Sequence, residues 1–171
     1  MRWLVPLTAM AALAFAQSAA AAPVSVGSVS FSPEMQTTLE RRLGDREGPM
    51  LQDDVSRALT RALRRAGAEV GPGAGVTVET TIVDADPNLP TMKELSDTPG
   101  LSMIDSMSIG GAELHAVIRG ADGRTLAEVN HRRYSMSLLD IDFPTTQWHD
   151  AQRAIRQFAE KVADAYESLP R

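Results

Sequence analysis

Residues 106–139, SMSIGGAELHAVIRGADGRTLAEVNHRRYSMSLL, decide the fold. Two runs of alternating apolar and polar residues flank Ala121-Asp122-Gly123, and the glycine suits the left-handed position of a three-residue hairpin loop. With that loop, Ile118 pairs with Leu126, Ala116 with Glu128 and Leu114 with Asn130. A two-residue loop would set Leu126 against Arg119 and Ile118 against Ala127, a poorer match. Strand side chains alternate with period two, so Leu114, Ala116, Ile118, Leu126, Tyr134, Met136 and Leu138 are expected on one face. Glu113, His115, Val129, His131 and Arg133 fall on the other, with Glu113 opposite His131 and the two histidines diagonal, roughly 7–8 Å apart. Two imidazoles and a carboxylate are a partial zinc shell, so Glu113, His115 and His131 form a candidate metal site. A half-solvated polar face with an acid–histidine pair accounts for the same residues more simply.

The flanking chain reads as cover for that hairpin. The short run VSVGSVSF, residues 24–31, is a first strand, and its apolar parity switches across Gly27-Ser28, as a bulge would require. Ser32-Pro33-Glu34 resembles a helix start, with the helix ending at Gly44; a surface turn is the alternative. Over residues 52–66 Leu51, Val55, Ala58, Leu59, Ala62, Leu63 and Ala66 form one apolar stripe. Asp53 and Asp54 would lie in its first turn and Arg61, Arg64 and Arg65 in its last, matching the helix dipole, and Gly67 stops it. The arginines read as a solvated helix end in preference to an anion site. Gly71-Pro72-Gly73-Ala74-Gly75 breaks the chain and lacks the lysine of a phosphate loop. Residues 76–83 form a second strand.

Residues 84–105, DADPNLPTMKELSDTPGLSMID, are the longest stretch without a periodic pattern, and loops of this length in compact domains often carry function. Leu89, Met92, Leu95, Leu101 and Met103 are its candidate partner-binding residues; alternatively they pin the loop over an edge of the sheet. Asp140 and Asp142 would share a face if extended, without a fuller ligand loop around them. Thr145 or Thr146 caps a last helix, in which Trp148, Ala151, Ile155, Phe158, Val162, Ala165 and Leu169 recur at three- and four-residue steps. The stripe fits packing on a sheet better than a coiled-coil seam, because no partner heptad run exists elsewhere.

Composition narrows the function classes. Residues 1–21 read as a cleaved signal peptide: Arg2, an apolar core over 4–15, then small residues. The remainder, 22–171, is long enough for one globular domain with a core of its own. There is no cysteine, which removes disulfides, thiol catalysis and a lipid-bearing cysteine. The net charge is −5 and no basic run stands out, which argues against nucleic acid and against docking on anionic lipid. No Gly-x-Ser-x-Gly elbow or metalloprotease pair is present, and a serine hydrolase would have to draw Ser106 or Ser108 together with a distant histidine. No residue pattern calls for a cofactor.

The segments Pro87-Asn88-Leu89-Pro90-Thr91, Ser108-Ile109-Gly110-Gly111-Ala112 and Ala121-Asp122-Gly123-Arg124, with residues 148–158, resemble a family of small proteobacterial envelope proteins of unknown function, many of them outer-membrane lipoproteins. More distantly, the element order is similar to the amino-terminal domain of TolB and to lipoprotein activators of penicillin-binding proteins. The resemblance implies an envelope location and brings no catalytic residues. This chain departs from those relatives in having no cysteine to lipidate.

The expected fold is α/β (α+β): a mixed sheet of about four strands in the order β-α-β-β-β-α, with two main helices on one face. The expected function is that of a non-catalytic exported accessory domain, binding an envelope protein through residues 84–105. The alternative is a small-ligand or metal-binding protein that uses the Glu113/His115/His131 face.

Overall fold

The structure, a computed structural model, describes residues 23–73, 75–103, 105–137 and 146–170. The proposed signal peptide, Leu138, the Asp140/Asp142 pair and Thr145 lie outside the described residues. The elements are β1 (Val24–Phe31), α1 (Pro33–Thr38) running into a π-helical turn (Leu39–Leu43), α2 (Glu47–Arg65), β2 (Val76–Asp86), α3 (Met92–Asp97), β3 (Gly111–Gly120), β4 (Thr125–Tyr134) and α4 (His149–Glu167).

The four strands form one mixed α+β sheet in the order β1-β2-β3-β4, not closed into a barrel. β1 and β2 are parallel, joined by the helical crossover that parallel neighbours need, and the other two pairs are antiparallel. Both long helices cover one face, α2 on the β1 side and α4 on β3 and β4, as the two apolar stripes require. Leu51, Val55, Leu59 and Leu63 of α2 meet Ile155, Phe158 and Val162 of α4 in a core floored by Val24, Val78, Ile82, Leu114 and Ile118.

Local chemistry sets the element ends. Ser32 Oγ accepts from the Met35 amide and Pro33 needs no donor in the first turn, so α1 starts where the sequence places it. Gly44 ends the π turn at φ 104°. α2 starts five residues before the expected 52, because Gly48-Pro49 falls in a first turn whose amides have no intrahelical acceptors. Asp53 and Asp54 are therefore mid-helix, where both pair with Arg57. At its other end Ala68 N donates to Leu63 O and Gly67 N to Arg64 O, a Schellman closure with Gly67 at φ 78°.

In β1 the register shifts between Val26 and Val29, the bulge that the parity switch predicts. The hairpin loop is also as expected: Gly123 N donates to Gly120 O, Gly120 N to Arg124 O, and Gly123 sits at φ 77°. The register beyond it is not. Arg119 faces Thr125, but Ile118 faces Ala127, so Leu126 is an extra residue in β4. This bulge lets Leu126 and Ala127 both pack against the core and reverses the parity of the rest of the strand.

Candidate functional site

That reversal takes the candidate metal site apart. Glu113 faces Arg132 and His115 faces Asn130 on the open side of the sheet, whereas His131 faces Leu114 on the helix-covered side, with Val129 beside Ala116. Glu113, His115 and His131 cannot share one ion, because the sheet lies between them. Glu113 pairs with Arg132 at 3.2 Å and His115 lies 3.7 Å from Glu128. Among the described residues no group of three or more His, Asp or Glu side chains is placed to hold a metal ion. His131 is buried under α4, its Nδ1 3.0 Å from Lys161 Nζ. Burial and, after it, the Lys161 charge hold the imidazole below the usual histidine range.

Tyr134, expected on the covered face, also lies on the open one. Its hydroxyl donates to Asp84 and the Arg132 guanidinium sits 4.8 Å from its ring centroid. Burial, followed by the bond to the Asp84 carboxylate, raises the phenol above its ordinary range. The rest of this open face is cross-strand polar pairing: Ser25 with Thr77, Ser30 with Thr81, and Arg119 with Glu79 and Thr125. Glu113, Glu79 and Arg119 each have a neighbour of the opposite sign, the pattern of a solvated face. The serines weighed as nucleophiles are engaged elsewhere: Ser108 Oγ donates to Pro87 O, and Ser106 Oγ accepts from the Ser102 amide.

The distinctive site lies at one end of the sheet, where β2 ends, β3 begins and α4 starts. Asn88 is fully buried between two prolines and uses all its polar groups. Its side-chain amide donates to Asp150 Oδ2 at 2.7 Å and to Ser108 O at 3.3 Å, while Oδ1 accepts from the Asp150 amide at 2.9 Å. Its backbone donates to Gln147 O and accepts from Ser108 N. Asn88 thus caps α4 from outside the helix, since the residue at its own N-cap, Trp148, makes no side-chain cap. Asp150, 3% exposed, also accepts from Ser135 Oγ at 2.7 Å, and its charge sits at the favourable end of the α4 dipole. Ser135 N closes the circuit onto Gly110 O.

Two glycines make this knot possible. A Cβ on Gly110 would lie 2.6 Å from Asn88 Oδ1, and one on Gly111 would lie 2.3 Å from Arg133 O. Next to the knot, Trp148 Nε1 donates to the buried Glu47 carboxylate at 2.7 Å, tying the starts of α2 and α4 together. Three of the segments on which the envelope-family resemblance rests, residues 87–91, 108–112 and the start of α4, therefore meet in one buried polar network.

The knot carries an apolar rim. The 84–105 stretch is less irregular than expected: β2 runs on to Asp86, and Met92–Asp97 form α3, started by a reciprocal Thr91–Glu94 capping box. Periodicity misses a helix of six residues, but Thr91-x-x-Glu94 was its visible signature. Arg42 bridges Asp86 and Glu94 and fixes α3 against the π turn. Met92 is 66% exposed, Met103 43% and Leu101 37%, whereas Leu89 and Leu95 are half-buried. Ile109 (42%) and Met136 (91%), which flank the Gly110–Ser135 contact, join the same end. Met50, in the first turn of α2, is the sixth exposed large apolar residue, and among the described residues there is none at the hairpin end.

No family model and no curated protein sequence matches the chain. Among solved structures it is similar to a dodecameric PelC variant from Paraburkholderia phytofirmans, with a TM-score of 0.51 and 10% identity over 85% of this chain and 86% of that one. A DUF330 protein from Xanthomonas campestris gives 0.44 and 14% over 84% and 82%. A hypothetical protein from Chlamydia trachomatis gives 0.49 and 13% over 84% and 96%. At these identities the PelC likeness is one of fold, and it extends over most of both chains. Among the described residues no helix is long and apolar enough to cross a membrane.

Proposed function

We propose that the protein is a non-catalytic accessory domain of the bacterial cell envelope, exported by the 1–21 segment, that binds a protein partner through the rim of the 84–105 stretch. Met92, Leu101 and Met103 make the contact, with Leu89 and Leu95 holding the segment in place. The observation that carries this reading is the segregation of exposed apolar side chains. Every large one among the described residues sits at one end of the sheet, on the loops around the buried hydrogen-bonded knot and on the first turns of α2 and α3 beside it. Scattered apolar residues need no explanation, but a patch confined to one end marks an interaction surface. Methionine suits such a surface, being flexible, polarizable and tolerant of the partner's shape. The resemblance of its sequence segments to envelope proteins supports the location.

The reading is tested by native electrophoresis of cell extracts containing the tagged protein or its Met92→Ser/Leu101→Ser/Met103→Ser variant. The wild-type chain should migrate in a discrete larger complex and the variant at its own mass, with an unchanged urea midpoint. Identical migration of the two would remove the rim as the binding surface.

A further inference from the structure

On the outer surface, away from both the sheet and the rim, a groove of about 450 Å³ opens between α2 and α4. Ala58 lines its base, Arg61, Arg64 and Arg65 of α2 form one wall, and Arg156 of α4 faces them. A second hollow of about 250 Å³ continues along Arg61 and Arg156 to Gln152 and to the Asp54 carboxylate, which Arg57 and Gln152 engage. Four guanidinium groups so gathered are unexpected in a chain of net charge −5.

The dipole of α2 accounts for only part of the cluster. Arg64 and Arg65 are in its last turn, but Arg61 is one turn earlier, and Arg156 comes from the middle of a different helix. Neighbouring carboxylates offset the charge unevenly: Glu160, Asp164 and Glu167 line a hollow beside Arg65. Asp53 and Asp54 are taken by Arg57, and Glu160 stands 3.9 Å from Arg65. Arg61, Arg64 and Arg156 have no carboxylate within 4 Å among the described residues. Arg61 and Arg65 donate Nε to the carbonyls of Arg57 and Arg61, which anchors their stems and leaves the terminal nitrogens of Arg61 for a ligand.

We propose that this groove binds a phosphate-bearing anion. A tetrahedral phosphate offers acceptor oxygens to both walls at once, whereas a planar carboxylate is satisfied by one guanidinium fork from one side. The groove has room for a diphosphate or a sugar phosphate. The same chemistry is found in soluble phosphorylated compounds and in lipid headgroups, and the experiment separates them.

The folded protein is titrated with inorganic diphosphate at low salt while the arginine Nε–Hε resonances are followed by NMR. Saturable shifts are expected at Arg61 and Arg156 and none at Arg124, which lies in the hairpin loop. Arg61→Ala/Arg156→Ala should weaken binding about tenfold or more, and the double lysine variant, which keeps charge but loses the fork, should fall between. Both sites are exposed, so thermal melts should be unchanged. Non-saturating shifts of equal size at Arg61, Arg156 and Arg124 would overturn the proposal. In a second arm, sedimentation with phosphatidylglycerol vesicles but not phosphatidylcholine vesicles, abolished in the double alanine variant, would identify the headgroup as the source. Diphosphate binding without sedimentation would identify a soluble phosphate.

Discussion

At the hairpin end of the sheet the chain turns through Ala121-Asp122-Gly123, every residue exposed, with open space around the glycine. At the opposite end the chain passes through a buried asparagine, a buried aspartate and two glycines that admit no Cβ, and then exposes Met92, Leu101, Met103, Ile109 and Met136. One end is loosely specified and wet; the other is tightly specified inside and apolar outside. A loop that only connects strands needs the first arrangement. Buried polar networks are costly unless complete, so the second implies that the position of these loops matters. Function is accordingly sought where backbone order and exposed apolar surface coincide.

The sharpest way to break this contrast is a pair of glycine substitutions. Gly111→Ala places a methyl against Arg133 O and Tyr134 Cα and should lower stability by about 2–3 kcal/mol or prevent folding. Gly71→Ala, near the hairpin end, meets nothing within 4 Å at a residue without positive φ, and should be neutral or stabilising by up to about 1 kcal/mol. Urea denaturation of the two variants gives the comparison directly; equal effects would show that the ends are not built differently.

Asn88→Ala comes next. It removes the cap of α4 and leaves the buried Asp150 carboxylate short of a donor, for a loss of about 2 kcal/mol. In a double-mutant cycle with Asp150→Asn the two losses should be strongly non-additive, since the residues form one network. Additive losses would mean that the knot is not a unit.

A smaller effect belongs to His131, between the ends. Its folded-state pKa lies below the unfolded value, so the unfolded chain binds more protons on acidification. The stabilisation is complete above the ordinary histidine value of about 6.5 and is lost as pH falls through it toward the folded pKa. Urea midpoints measured between pH 7.5 and 5 should fall for the wild-type chain, and His131→Gln should flatten that slope. The smallest expected effect on stability is at the rim itself. Met136→Ser and Met92→Ser should change it by no more than about 0.5 kcal/mol, because both side chains are exposed.

Much of this architecture was legible from residue patterns, and the failures have physical causes. The apolar stripes of α2 and α4, the glycine stops and the β1 bulge are local or periodic signals, and each maps onto the structure. The β4 register was misread because one bulged residue, Leu126, inverts every side chain that follows it. The warning was present: the expected register set Glu128 and Asn130 against Ala116 and Leu114, placing polar groups on the core face. Whether His115 and His131 shared a face depended wholly on that residue. Met92, Leu101 and Met103, the proposed contact residues, are picked out by their setting in a long aperiodic stretch. Asn88 and Asp150 were not identifiable as partners, because 62 residues separate them and no spacing rule links an asparagine in a loop to a helix start.

The most direct test of the account is site-specific photo-crosslinking in intact cells, with the probe at Met103 on the rim and, separately, at Asp122 in the hairpin loop. The account predicts a discrete adduct from Met103 and none from Asp122. An adduct from Asp122 with none from Met103, or the same adduct from both, would contradict it.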